Sequence, residues 1–295
     1  MTYVWRSLLY VPAHVEKFVT SPRIREADGV ILDLEDSVPA DRKADARAMA
    51  RSAVPGLVEA GGEVLVRIND EAELAGADIA AVVQPGLRAL VAPKMRSVEH
   101  VHALERLIAD AEAANGVAAG TVRLIVLIET AEGFLNMAAI AKASPRIAAI
   151  NLGNEDFALD LGMEPDDDTL RMPRQQLVIA AAAAGVMPLG LMGVATRFDD
   201  LEAYRALALR SRRFGYAGAT CIHPSQIAIL NAAFSPTAEE TAWAQRVVDG
   251  AEAATRQGQG AFQIDGKMID APIVQRARNL MLRSEIIRKS SERVT

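Results

Sequence analysis

The stretch RLIVLIETAEGF, Arg123 to Phe134, places a carboxylate at the point where a buried strand should stop. Leu124 to Ile128 form an unbroken apolar run, which reads as a strand covered on both faces. Glu129 follows directly, and a carboxylate that leaves water without a partner is costly. A second acid-rich turn, NLGNEDFALDLG, closes the apolar run Ile147–Leu152 and carries Asp156. Glu129 and Asp156 thus end adjacent predicted strands, and their carboxylates are expected to converge. Two bare carboxylates about 4 Å apart repel by roughly 1 to 4 kcal/mol, depending on the local dielectric. A shared divalent cation turns that repulsion into attraction. An all-oxygen pair with positions open for water and substrate suits Mg²⁺, not Zn²⁺. A shared proton is the alternative, and arginines at the same rim would favour ionisation of both acids.

Such a pair needs a scaffold that delivers strand ends to one place. Strand candidates are Trp5–Val11, Val30–Leu34, Val64–Ile68, Ala89–Ala92, Leu124–Ile128, Ile147–Leu152, Met187–Met192 and Ala219–Ile222. Amphipathic stretches such as SVEHVHALERLIADAEAA alternate with them, the pattern that closes an α/β (β/α)8 TIM barrel. An open doubly wound sheet is the runner-up. It loses because YVPAHVEK, not a glycine-rich phosphate loop, follows the first strand. The expected division is a catalytic barrel over residues 1–235 and a C-terminal helical extension over 236–295. Polar residues recur where strands end: Arg6 in strand one, then Asp33, Glu35, Asp36, Arg67, Asn69, Lys94, Glu129, Asn154, Glu155, Asp156 and His223. In a barrel these positions share one mouth.

Composition narrows the classes of partner. The chain has 295 residues, 51% hydrophobic and 24% charged, with a net charge of −6. That balance fits a soluble globular protein and argues against nucleic acid or an anionic membrane as the main partner. A single cysteine, Cys221, excludes an internal disulfide framework and fits a reducing cytoplasm. The N-terminus lacks the apolar core of a secretory signal. Leu177 to Ala195 carries no charge and imitates a membrane span, but Gly185, Pro188, Gly190 and Gly193 interrupt it. It reads as a helix end, a turn and a strand.

Simpler roles compete at several of these positions. Asp156 could cap the helix that follows, so capping and function both stay open there. Asp199 and Asp200 read as caps of LEAYRALAL, and Asp166 to Asp168 as a solvated loop. His14, His100 and His102 read as surface or helix residues, Cys221 as inert core, and His223 as a loop hydrogen bonder.

RSLLYVPAHVEK, GVILDLEDSVPADRKADAR, VRIN, VAPK, LIVLIET, LGNEDFALDLG, GYAGATCIHPSQI, FSPTAEE and DGKMIDAPIVQRA stand in one order along nearly the whole chain. That ordered set resembles the citrate lyase beta-subunit-like group of the HpcH/HpaI aldolase superfamily. The resemblance implies a TIM-barrel, Mg²⁺-dependent carbon–carbon lyase. Its substrates would be 3-hydroxyacyl thioesters such as malyl-CoA or citryl-CoA, made from an acyl-CoA and a small oxo acid, in a homotrimer. It also implies roles: Glu129 and Asp156 as magnesium ligands, Arg67 on the thioester or enolate oxygen, and Glu35 and Asp36 as the acidic pair beside the metal. Gly153, Asn154 and Glu155 would bind substrate through the backbone of their loop. Asp270 would reach a neighbouring subunit's site and exchange the proton on the acyl α-carbon. On spacing alone Asp270 reads equally as the cap of the final helix, with Pro272 in its first turn. One departure stands out: where many relatives carry an acid after strand seven, this chain has MPLGLMGVATRFDD, which implies a different acyl or oxo-acid partner.

Three other functions compete with the lyase. A thioester hydrolase would use the same enolate-stabilising site, and a lyase subunit would work on an acyl carrier. A CoA-independent aldolase fits less well, because the DLEDSV motif and the KMIDAP tail belong to the thioester-handling group.

Overall fold

The computed structural model describes residues 3–193, 200–258 and 260–292. Eight parallel strands form the barrel wall: β1 (Ser7–Pro12), β2 (Gly29–Asp33), β3 (Glu63–Arg67), β4 (Leu87–Ala92), β5 (Arg123–Ile128), β6 (Ile147–Leu152), β7 (Met187–Leu189) and β8 (Ala219–Cys221). The helices, in chain order, begin with α1 (Glu16–Val19), α2 (Lys43–Glu59), α3 (Ala72–Val82) and α4 (Val98–Ala114). Next come α5 (Ala131–Ile140), α6 (Asn154–Leu161), α7 (Arg171–Ala184), α8 (Leu201–Arg213) and α9 (Ile227–Ala233). The (β/α)8 expectation therefore holds. Strand β7 stops at Leu189, short of the expected Met192, because Gly190 turns the chain at φ +137°.

Each strand pairs with its neighbours in sequence, and β1 also pairs with β8. The ring closes between β7 and β8 through a single bridge, Leu189 to Gly218, with the Gly190 N–H donating to the Gly218 carbonyl at 2.9 Å. Alternate residues face inward, so Leu8, Ile31, Leu65, Val91, Ile125, Leu127 and Met187 plug the barrel. Trp5 shuts the end away from the mouth, its indole N–H donating to Glu63 at 2.5 Å. A larger apolar layer fills the space between strands and helices. Each fully buried Leu or Ile in these layers contributes about 1.5–3 kcal/mol.

Arg6 does not belong to the mouth. It stands before β1, at the opposite end, where its guanidinium pairs with Asp28 at 2.6 and 2.8 Å. Within the described residues the uncharged stretch after Leu177 divides between the end of α7, β7 and the turn at Gly190. Among the described residues no helix is long and apolar enough to cross a membrane.

A second compact unit begins at Ser235, after Phe234 ends the first. It contains α10 (Ala238–Arg256), a hairpin of β9 (Phe262–Ile264) and β10 (Lys267–Ile269), and α11 (Ala271–Ser291). A capping box of Thr237 and Glu240 starts α10. Ala244, Val247, Ile269, Val274 and Ala277 form this unit's own small core.

Candidate active site

Glu129 follows the last residue of β5 and is 4% exposed. The next residue, Thr130, caps α5 by accepting the Gly133 N–H, so the chain turns at once and leaves the Glu129 side chain at the mouth. Its Oε2 accepts the backbone N–H of Lys94 at 2.7 Å. Lys94 presents that N–H from a left-handed conformation, φ +46°, which costs an L-residue roughly 1–3 kcal/mol. The other flank of Glu129 is Gly153, where a Cβ would lie 2.8 Å from the Glu129 Cδ. Only a residue without a side chain leaves that carboxylate its place.

Asp156 stands in the first turn of α6, four residues beyond the end of β6. It does not cap its helix: the cap position is Gly153, and no side-chain capping bond is made. The first N–H groups of any helix lack intrahelical acceptors, so those of Asn154, Glu155 and Asp156 form an electropositive end at the mouth. Gly153 is not among the donors, because its N–H is committed to the Ile128 carbonyl at 3.0 Å. Burial pushes the Glu129 carboxyl up to about 7, against the Lys94 N–H, with the nearby Asp156 charge adding to the rise. The expected pull of the rim arginines toward ionisation is thus opposed at Glu129. Burial outweighs the arginine.

The reason lies in where the Arg67 charge goes. The register sets Asp33 at the end of β2 directly against Arg67 at the end of β3. Nε and Nη2 of Arg67 both donate to Asp33 at 2.7 Å, a bidentate fork. Nη1 lies 2.9 Å from Glu35 and 3.2 Å from Asp36, and the guanidinium covers the Tyr10 ring at 4.9 Å. Burial opposes the Asp33 charge, but the fork from Arg67 wins and holds that carboxyl below its ordinary range. Glu35 is less well served: burial pushes it up to about 7 despite Arg67. Lys94 Nζ reaches Glu35 at 3.3 Å.

These groups border a cavity of 410 Å³ lined by Asp36, Arg67, Glu129 and the whole Gly153–Asp156 turn. Glu35, 5% exposed, sits behind Arg67. Other expected mouth residues point elsewhere. Asn69 is buried and donates to Asp78 of α3. His223 completes a capping box at its own turn. Asp166 accepts N–H groups of its own loop, and Asp200 caps α8 as expected. Asp199 lies outside the described residues. Cys221 is buried, which pushes its thiol up to about 12, as inert core requires. Asp270 belongs to the second unit, half-buried at the cap position of α11, yet its side chain makes no capping bond.

Tyr10, Arg174 and Tyr216 also line the cavity without having been singled out by sequence. Tyr10 alternates with apolar residues in β1, and Tyr216 precedes β8, so both read as core. Arg174 lies in RMPRQQ, where nothing marks it from a solvated helix charge.

Residues 6–224 match the HpcH/HpaI aldolase/citrate lyase family. The citrate lyase subunit beta of Leuconostoc mesenteroides subsp. cremoris is 33% identical over 94% of this chain and 92% of its own length. A (3S)-malyl-CoA thioesterase of Cereibacter sphaeroides is also 33% identical, over 96% of this chain and 95% of its own. Among solved structures, the CitE protein of Mycobacterium tuberculosis in complex with magnesium, acetoacetate and coenzyme A superimposes with a TM-score of 0.75 at 29% identity. It covers 97% of this chain and all (100%) of that one. With the motifs in order and the barrel closed around them, this chain belongs to the HpcH/HpaI aldolase/citrate lyase family.

Proposed function

We propose that the chain is a Mg²⁺-dependent carbon–carbon lyase that cleaves, or in reverse forms, a 3-hydroxyacyl-CoA thioester of the malyl-CoA or citryl-CoA type through an enolate. The observation that carries this reading is the coupled pair Glu129 and Asp156 beside the open helix end of α6, in a cavity shared with Arg67. The donor set fits the metal. Among the described residues no three His, Cys, Asp or Glu side chains form a ready cage, and Mg²⁺ commonly takes one or two carboxylates and keeps several waters. Burial and mutual repulsion of the two acids are what a cation relieves. A magnesium ion held by Glu129 and Asp156 would polarise the oxo-acid carbonyl as a Lewis acid.

The remaining work falls to the chain itself. The N–H groups of Asn154, Glu155 and Asp156 bind the carboxylate of the hydroxy acid at the start of α6. Arg67, fixed by the Asp33 fork and backed by Glu35 and Asp36, sets positive charge where the thioester oxygen becomes an enolate oxygen as the carbon–carbon bond breaks. Asp270 of a neighbouring copy in a homotrimer protonates the enolate carbon, and in condensation removes that proton. Support for a hydrolase reading is the thioesterase relative, which matches as well as the lyase subunit does. In that reading water would complete the reaction and free acid and CoA would leave.

Incubation with a panel of acyl-CoAs and Mg²⁺, read by mass spectrometry, separates the two. Acetyl-CoA plus an oxo acid from malyl-CoA or citryl-CoA supports the lyase, and free CoA with malate or citrate overturns it. For Asp270, the Asn variant keeps its melting temperature and loses proton exchange at the α-carbon of acetyl-CoA. Mixing inactive Asp270→Asn with inactive Glu129→Gln subunits then restores activity. No recovery despite demonstrated subunit exchange removes the cross-subunit role.

A further inference from the structure

Arg174 is a buried cation that the lyase chemistry does not use. It stands on the first turn of α7 at 1% exposure, on the cavity wall. The Tyr216 hydroxyl donates to its backbone carbonyl at 3.1 Å and holds that turn in place. Its Nε donates to the Asn154 Oδ1 at 3.2 Å, and neither Nη1 nor Nη2 has a hydrogen-bond acceptor. The nearest acid is Asp167, whose Oδ1 lies 3.5 Å from Nη1; that carboxylate is half exposed and already pairs with Arg210 at 2.9 Å. Arg174 shares the cavity lining with Asn151, Asn154, Gly190, Leu191 and Tyr216, and Asp167 is its one acid partner among the described residues. Burial lowers the Arg174 guanidinium below its ordinary range, against the pull of Tyr216 and Asp167. A buried, underpaired charge is expensive to keep and points to a ligand that completes it.

We propose that Arg174 reads a second carboxylate on the oxo acid, so that the site selects dicarboxylic over monocarboxylic oxo acids. This rests on the reading that Glu129, Asp156 and the start of α6 hold the carbonyl and the first carboxylate. Asn154 then stands between the two anchors, since it begins α6 and also binds Nε. With Nε taken, the open edge of the guanidinium is the Nη1 and Nη2 pair, the edge that accepts a carboxylate in two parallel hydrogen bonds. Asp36 and Glu155 elsewhere on the wall repel an anion, whereas the acid beside Arg174, Asp167, is half exposed and offset by Arg210 at 2.9 Å.

Pyruvate and oxaloacetate differ by one carboxylate in place of a hydrogen, which makes them the discriminating pair. Their dissociation constants are measured by calorimetry with Mg²⁺ and freshly dissolved acids, on wild type, Arg174→Met and Arg174→Lys, with melting temperatures alongside. The expected result is oxaloacetate binding at least about 10-fold tighter than pyruvate in wild type. Arg174→Met removes that preference and leaves pyruvate within about 2-fold, while Arg174→Lys keeps part of it. No preference in wild type, or a preference that survives Arg174→Met, overturns the proposal. So does parallel loss of both ligands with a lowered melting temperature, since that marks a structural arginine. Wild type that binds neither acid overturns the metal-end reading as well. Oxaloacetate binding that survives Glu129→Gln but not Arg174→Met overturns the metal-end reading alone.

Discussion

Arg67, at the end of β3, touches three carboxylates, and Arg174, on α7 across the ring, has only a loosely held acid at 3.5 Å. The strand order sets β3 and β7 on opposite sides of the barrel, so one mouth holds two guanidinium groups under opposite conditions. On the β2–β3 side the positive charge is fixed in direction by the Asp33 fork. Such an arginine is suited to charge that appears during a reaction, because little reorganisation is left to do. On the α7 side the charge waits for an anion that arrives with the substrate. On the proposed reading the two walls divide the labour, one for the transition state and the other for recognition.

Between the walls stand the two acids whose loss has the largest expected effect. Glu129→Gln and Asp156→Asn each abolish turnover with the fold intact, and Mg²⁺ affinity falls at least about 10-fold by calorimetry. Unchanged Mg²⁺ affinity in both variants removes the metal assignment and with it the meaning of the comparison. Next is Arg67→Lys, which keeps the charge but loses the fork, so kcat falls about 10²-fold or more. Near-normal kcat makes Arg67 structural.

Stability sets the two arginines apart most sharply. Arg67→Met strands the buried Asp33 and destabilises by about 3–5 kcal/mol in urea unfolding, the cost of breaking a buried pair from one side. Arg174→Met removes a charge with little to pair with and stays within about 1 kcal/mol of wild type. Equal losses in the two variants break the comparison. Gly153→Ala is expected to cost about 1–3 kcal/mol through the collision with Glu129 and to weaken Mg²⁺ binding together with stability.

The smallest effect is one of pH. Glu129 and Glu35 are both pushed up to about 7 from 4.5. A carboxyl that holds its proton more tightly when folded stabilises the fold below the unfolded value and loses that contribution as pH rises through the folded one. Metal-free protein therefore loses stability between about pH 4.5 and 7. Mg²⁺ raises the melting temperature more at about pH 8 than at about pH 5.5, because only the ionised pair binds it. An equal rise at both values counts against Glu129 as a ligand.

The same contrast explains what was legible in the sequence. The barrel is written in its β-rich apolar runs, since a parallel strand buried on both faces admits no polar alternation. Glu129 is legible because it breaks such a run at its end. The Asp33–Arg67 fork is half legible: both residues end strands, but their pairing depends on register, which spacing does not fix. Arg174 is hidden. A charge on an amphipathic helix signals solvent, and its burial comes from Asn154 and Tyr216, distant in sequence and set by the closed ring. Arg6 misleads for a related reason. The expected strand starts at Trp5, and the actual one at Ser7 leaves Arg6 outside it, at the far end.

The seam between β7 and β8 has a consequence for how the barrel changes shape. Both strands are three residues long and meet through one bridge, from Leu189 to Gly218 just before β8, whereas β5 and β6 pair at five positions from Leu124 to Ile128. Amide hydrogen exchange should find its lowest opening free energy here, with β7 and β8 releasing protons well before β3 to β6. The wall next to Arg174 is thus also the least stitched part of the ring. Evolution can reshape that wall, for a longer or shorter acid, with little disturbance to the strands that lead to Arg67 and Glu129.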